Sequence, residues 1–186
     1  LNILVAVAGS TVTYSAGPEN DEGAYVVGAA QPVSFDHIES LSVAPSGAGS
    51  VTSVTISGTN GDDDITVIGN GVQDFTVSVN GGPAVQYTNI SGLSISSLAG
   101  DDDIDVDVNA LALAPGFFSI VGDDPSAGGG DTLTATGTAA TWTPGLSSFA
   151  VDGSTMFVLG IENLVFDGET VGSLTCLLYT SPSPRD

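Results

Sequence analysis

The stretch Asn60-Gly61-Asp62-Asp63-Asp64-Ile65-Thr66-Val67 returns as Ala99-Gly100-Asp101-Asp102-Asp103-Ile104-Asp105-Val106 and, shortened, as Gly129-Gly130-Asp131-Thr132-Leu133-Thr134-Ala135. Each copy is a turn, then a carboxylate, then a strand. Glycine permits a tight turn, and the aspartates crowd oxygen atoms at its corner. The apolar residue two places after Asp63, Asp102 and Asp131 opens an alternation that buries one face of a strand. A chain built on such corners returns on itself at short intervals, so it folds as repeated short strands.

Composition narrows the classes further. The chain of 186 residues carries a formal charge of −21, and its one basic side chain, Arg185, and one cysteine, Cys176, both lie in the last eleven positions. That segment, Cys176 to Asp186, breaks the repeat pattern and resembles a translated sequencing adapter; it is set apart as a non-native, disordered tail. Residues 1–175 are expected to form a single repetitive unit cut at both ends. Without Lys or Arg they cannot displace counterions from a phosphate backbone, which excludes nucleic acid, and anionic membrane surfaces are disfavoured in the same way. Leu1 to Ala8 is apolar but too short to span a membrane. With 41% apolar residues, many in alternation, the chain is folded rather than a disordered acidic tail.

Self-comparison shows the organisation. Val33 to Val43 overlays Val85 to Ile95 without gaps and, with one gap, Phe157 to Phe166; Gly9 to Gly17 overlays Gly137 to Gly145. Between these copies run apolar triplets: Leu41-Val43, Val54-Ile56, Ile65-Val67, Leu93-Ile95, Ile104-Val106, Phe118-Ile120, Leu133-Ala135 and Leu164-Phe166. Strands this short bury a continuous core when stacked rung on rung. Asn80-Gly81 and Asp152-Gly153 lie between longer apolar runs and predict hairpins, with Val27-Gly28 a degenerate first copy. The predicted fold is all-β: a right-handed parallel β-solenoid with β-hairpin protrusions. Tandem β-sandwich modules are the alternative. The one helical candidate, Val108 to Leu113, is short and meets Pro115.

The pattern Gly-x-Asp-x-Ile/Leu at residues 61–65, 100–104 and 129–133 resembles the second half of the calcium-binding nonapeptide of secreted RTX proteins. The wider arrangement is similar to repeats of very large bacterial surface proteins. The resemblance implies a calcium-stabilised β-roll in a secreted or cell-surface protein, although the nonapeptides here are not in tandem. Charge argues in the same direction. Carboxylates on rungs about 4.8 Å apart repel by roughly 3 kcal/mol at an effective dielectric of 20, and a hard dication reverses that sign. The candidate calcium ligands are Asp62, Asp63, Asp64, Asp101, Asp102, Asp103, Asp123, Asp124 and Asp131, the last three flanking the Gly-rich segment 125–130. The alternative is that these are solvated acidic turns. Asp105 and Asp107, alternating with Ile104 and Val106, are assigned to the solvent face of a strand.

His37 is the only histidine, and a zinc or catalytic role is discounted because zinc needs several His, Cys or acidic ligands together. No Gly-x-Ser-x-Gly elbow supports a Ser-His-Asp triad. Tyr14, Phe35, Tyr87 and Trp142 suit core packing better than sugar stacking, since they recur at matched repeat positions. The expected function is therefore a structural or adhesive segment of an extracellular protein, not an enzyme. Its partners are calcium, neighbouring repeats and surface glycans; the alternatives are a fragment of a β-helical polysaccharide-acting enzyme and a carbohydrate-binding module.

Overall fold

The computed structural model describes residues 1–6, 8–46, 51–108, 118–123, 129–143, 147–152 and 154–170. Among them the chain is all-β, without helix, and no helix is long and apolar enough to cross a membrane. The strands are β1 (Asn2–Val5), β2 (Ser10–Ala16), β3 (Gly23–Val27), β4 (Val33–Phe35), β5 (Leu41–Pro45), β6 (Val51–Ser57), β7 (Asp64–Gly71), β8 (Asp74–Val79), β9 (Val85–Tyr87), β10 (Leu93–Leu98), β11 (Asp103–Asp107), β12 (Phe118–Gly122), β13 (Thr132–Thr143), β14 (Ser148–Val151), β15 (Ser154–Leu159) and β16 (Asn163–Thr170). They form two mixed sheets, neither of them closed. One runs β1-β5-β9-β8-β7-β11-β13 with β16 beyond, the other β13-β14-β15-β12-β10-β6-β2-β3-β4, so the long β13 belongs to both.

Each sheet contains a parallel, in-register ladder built from the apolar triplets. In the first, Ile65, Ile104, Leu133 and Leu164 align across β7, β11, β13 and β16, as do Val67, Val106, Ala135 and Phe166. In the second, Tyr14, Ile56, Ile95, Ile120 and Val158 align across β2, β6, β10, β12 and β15. The alternation places these side chains in one hydrophobic core shared by both sheets. Removing an isoleucine side chain of this size from water contributes about 1.5–3 kcal/mol. Asp105 is exposed and Asp107 half-buried between them, the solvent-facing placement that alternation predicts.

Both hairpins form where the turn dipeptides predict them. Asn80 (φ 54°) and Gly81 (φ 68°) turn β8 into β9, and Asp152 (φ 48°) turns β14 into β15. Val27 and Gly28 (φ 56°) lead into the turn between the antiparallel β3 and β4. These hairpins do not protrude. Phe75, Val77, Val79, Val85 and Tyr87 are all buried, and the Phe75 and Tyr87 rings stack 5.2 Å apart, because both strands carry the same inward alternation as the triplets. Antiparallel meanders, β2-β3-β4, β7-β8-β9 and β13-β14-β15, therefore interrupt the parallel ladders.

The overlay of Val33–Val43 on Val85–Ile95 and Phe157–Phe166 has a structural basis other than sheet pairing. Leu41 pairs with Val85, not with its overlaid partner Leu93. What repeats is a left-handed corner after each meander: His37 (φ 54°), Asn89 (φ 56°) and Gly160 (φ 69°), each followed by an isoleucine packed in or against the core. Tyr14, Phe35 and Tyr87 are buried as expected, and the Tyr25 and Tyr87 hydroxyls share a hydrogen bond of 2.9 Å. The Trp142 side chain, most of the helical candidate and the tail from Cys176 lie outside the described residues.

Candidate functional site

The three corners stack on one another, and their aspartates divide into an inner and an outer row. Asp63, Asp102 and Asp131 turn inward and are 3%, 1% and 0% exposed. Each inner aspartate donates its backbone N–H to the carboxylate of the next rung: Asp63 to Asp102 Oδ1 (2.8 Å), Asp102 to Asp131 Oδ1 (3.0 Å), and Asp131 to Glu162 Oε2 (2.9 Å). Backbone bonds tie the same rungs, Asp103 N–H to Asp63 O (2.9 Å) and Thr132 N–H to Asp102 O (2.8 Å). At the first rung Asp63 accepts from the Thr59 N–H (2.7 Å), the Thr59 hydroxyl and the Asn80 side-chain amide (2.6 Å). Asn80 also accepts the Asp64 N–H (2.8 Å), so one residue sets the hairpin turn and ends the ladder.

Two carboxylate oxygens in this column, Asp102 Oδ2 and Asp131 Oδ2, are buried and have no hydrogen-bond partner among the described residues, nor has the Ser97 hydroxyl. Burial raises the Asp102 carboxyl above its ordinary range; the nearby Ser97 hydroxyl, which stops short of hydrogen-bond geometry, and the Asp63 N–H oppose the rise. Burial likewise raises Asp131, opposed by the Asp102 N–H and reinforced by Asp102, Glu162 and Asp101. Small residues make room for the inward carboxylates. A Cβ on Gly58 would lie 2.7 Å from Asp63 Oδ2 and 2.6 Å from the Ser97 carbonyl; one on Gly122 would overlap Asp131 Oδ2.

The outer row is wetter. Asp62 is exposed and accepts the Asp101 N–H (3.0 Å), while Asp101 accepts the Gly129 N–H (2.9 Å). Asp64, Asp103 and Asp123 are exposed, and Asp124 lies outside the described residues. The corners thus link Asp63, Asp102 and Asp131 in an inner row and Asp62 and Asp101 in an outer one, with the exposed Glu162, which the Gly-Asp pattern does not mark, ending the inner one. The carboxylates of Asp64, Asp103 and Asp123 are not joined to either row, and no three of the predicted aspartates converge as ligands among the described residues. Hard oxygens without partners are the donor type that a calcium ion takes.

A second cluster lies apart from these corners. Glu19 and Asp21 in the β2–β3 turn meet His37 at the left-handed corner after β4, with a ligand atom of each within 4.8 Å of the others. Among the described residues this is the set in which three acidic or imidazole ligands converge. The His37 Nδ1 also lies against the Asp36 carboxylate. Glu22 beside them is raised above the ordinary carboxylate range by desolvation, then by Glu19, Asp36 and Asp21. Pattern reading assigns His37 no partners because the acids come from a separate turn; the spacing Glu19-x-Asp21 is the one local signal of them. Comparison with family models, curated proteins and solved structures finds no match to this chain.

Proposed function

We propose that the chain is a structural repeat segment of an extracellular or cell-surface protein, with calcium held at its acidic corners. The observation that carries this reading is the column Asp63, Asp102, Asp131 and Glu162, in which carboxylates link successive rungs and two buried oxygens remain open. The acids recur once per rung, as a structural device does, whereas a catalytic pair is needed once. The finer architecture we infer is a right-handed parallel solenoid. In-register ladders in both sheets support it, as does the strong right-hand preference of parallel crossovers.

Asp102 and Asp131 would hold the ion from inside, Asp62, Asp63, Asp64, Asp101, Asp103, Asp123 and Asp124 being the remaining candidates. Bound calcium supplies the positive charge that a chain with one basic residue lacks. Sites of modest affinity fill where calcium is near millimolar, which is the argument for an extracellular setting.

The test compares thermal melting in chelator, in millimolar calcium and in sodium chloride of matched ionic strength. A site at ten times its dissociation constant adds about 1.4 kcal/mol, so several sites raise the midpoint visibly. Calcium should stabilise well beyond sodium, and Asp102→Asn and Asp131→Asn should each weaken the calcium response. Equal rescue by sodium would sink the metal reading and leave solvated acidic corners in its place.

A further inference from the structure

Glu19, Asp21 and His37 form a group of different chemistry from the oxygen-only corners. Calcium and magnesium take oxygen ligands, whereas an imidazole nitrogen favours zinc, copper, nickel or iron. We infer that these three side chains form a site for a divalent first-row transition ion, separate from the calcium corners.

The donor set carries two carboxylates and one neutral imidazole, so a dication is balanced in charge. Ligands on a tetrahedral ion at about 2.1 Å stand about 3.4 Å from one another. The three ligand atoms already lie within 4.8 Å, and Glu19 and His37 are exposed side chains free to close the difference. The His37 Nδ1 lies against the Asp36 carboxylate, which orients the ring. A carboxylate on the other nitrogen is the common way metal-binding imidazoles are oriented.

The scaffold beneath the ligands is fixed rather than loose. The Ile38 N–H meets the Asp21 carbonyl (3.5 Å), which ties the two ligand segments together. A Cβ on Gly82 would overlap the Asn20 carbonyl, so the β2–β3 turn packs tightly on the β8–β9 turn. Two of the three ligands, Asp21 and His37, border a cleft of about 400 Å³ with Glu39 and Pro83, which leaves room for water to complete the coordination.

The test uses the full chain in excess calcium, which occupies the oxygen-only corners, with zinc ion as the probe. As the chain has one histidine, one imidazole C2–H resonance reports on the site. It should shift saturably with one equivalent of zinc, and Glu19→Gln and Asp21→Asn should each weaken the apparent affinity by about tenfold or more. His37→Asn places at this corner the residue that Asn89 supplies at its equivalent, so the melting temperature should hold while calorimetry loses one bound zinc. An unshifted imidazole, or a shift that survives unchanged in both carboxylate variants, would overturn the site. Loss of the calcium response with the imidazole shift retained would remove the corner reading alone; the reverse would remove this one alone.

Discussion

Asp102 does two things that substitution can separate. Its Oδ1 receives the buried Asp63 N–H, and its charge is carried in a place that resists it. Asp102→Asn keeps an acceptor and drops the charge, so in chelator it should leave the midpoint unchanged or raise it. Asp102→Ala leaves the Asp63 N–H without a partner and should cost about 1–3 kcal/mol. Chemical denaturation of both variants in chelator checks the pair; equal losses would mean that the carboxylate acts only as filler. The same burial fixes a pH dependence. Asp102 and Asp131 have folded values raised above the unfolded ones, so between those values the native state binds more protons. Their stabilisation is complete below the unfolded values and is lost as pH rises through the folded ones. In chelator, the midpoint of the wild-type chain should fall as pH rises from acid toward neutral, and the double variant Asp102→Asn with Asp131→Asn should show a shallower slope. An unchanged slope would assign the effect to general charge repulsion.

Elements were legible in the sequence wherever local alternation decides burial. The triplets became core strands because alternate residues of a strand face one way, and the Asn-Gly and Asp-Gly dipeptides turned where their backbone permits. Neighbour identity was not legible. The Asn-Gly turn marks the pairing of β8 with β9, but nothing local to Phe75 says that β8 also pairs with β7, and the inward turn of Asp63 depends on groups 39 residues away at Asp102. The Glu19 and His37 meeting escaped for the same reason. At Gly100 (φ 153°) the repeated glycine allows a close approach, since a Cβ there would stand 2.8 Å from the Gly61 carbonyl of the adjacent corner. Gly61 itself has only Thr59 Oγ1 at 3.9 Å. Gly100→Ala should therefore destabilise by about 1–3 kcal/mol through backbone displacement, and Gly61→Ala by much less. Comparable midpoints for the two would show that the corners do not approach as closely as the fold requires.

At the scale of the whole molecule, the two sheets share one core while the rungs communicate mainly with adjacent rungs. Within the first ladder each strand bonds the rung before or after it, β7 and β13 also pairing with the meander strands β8 and β14, and the carboxylate column follows the same order. Such a chain resembles a one-dimensional array, in which damage at a middle rung uncouples its two sides more than damage at an end rung does. Ile104 sits at a middle rung, 1% exposed, between Ile65 and Leu133. Leu164 sits at the last described rung, only half-buried. Ile104→Asp buries an unpaired charge at the centre and should abolish cooperative melting or split it into two transitions. Leu164→Asp can turn its charge toward water and should lower the midpoint while keeping one transition. Calorimetry on both variants decides the matter. If the two behave alike, the molecule unfolds as one indivisible sandwich, and the rung-by-rung description of its stability fails.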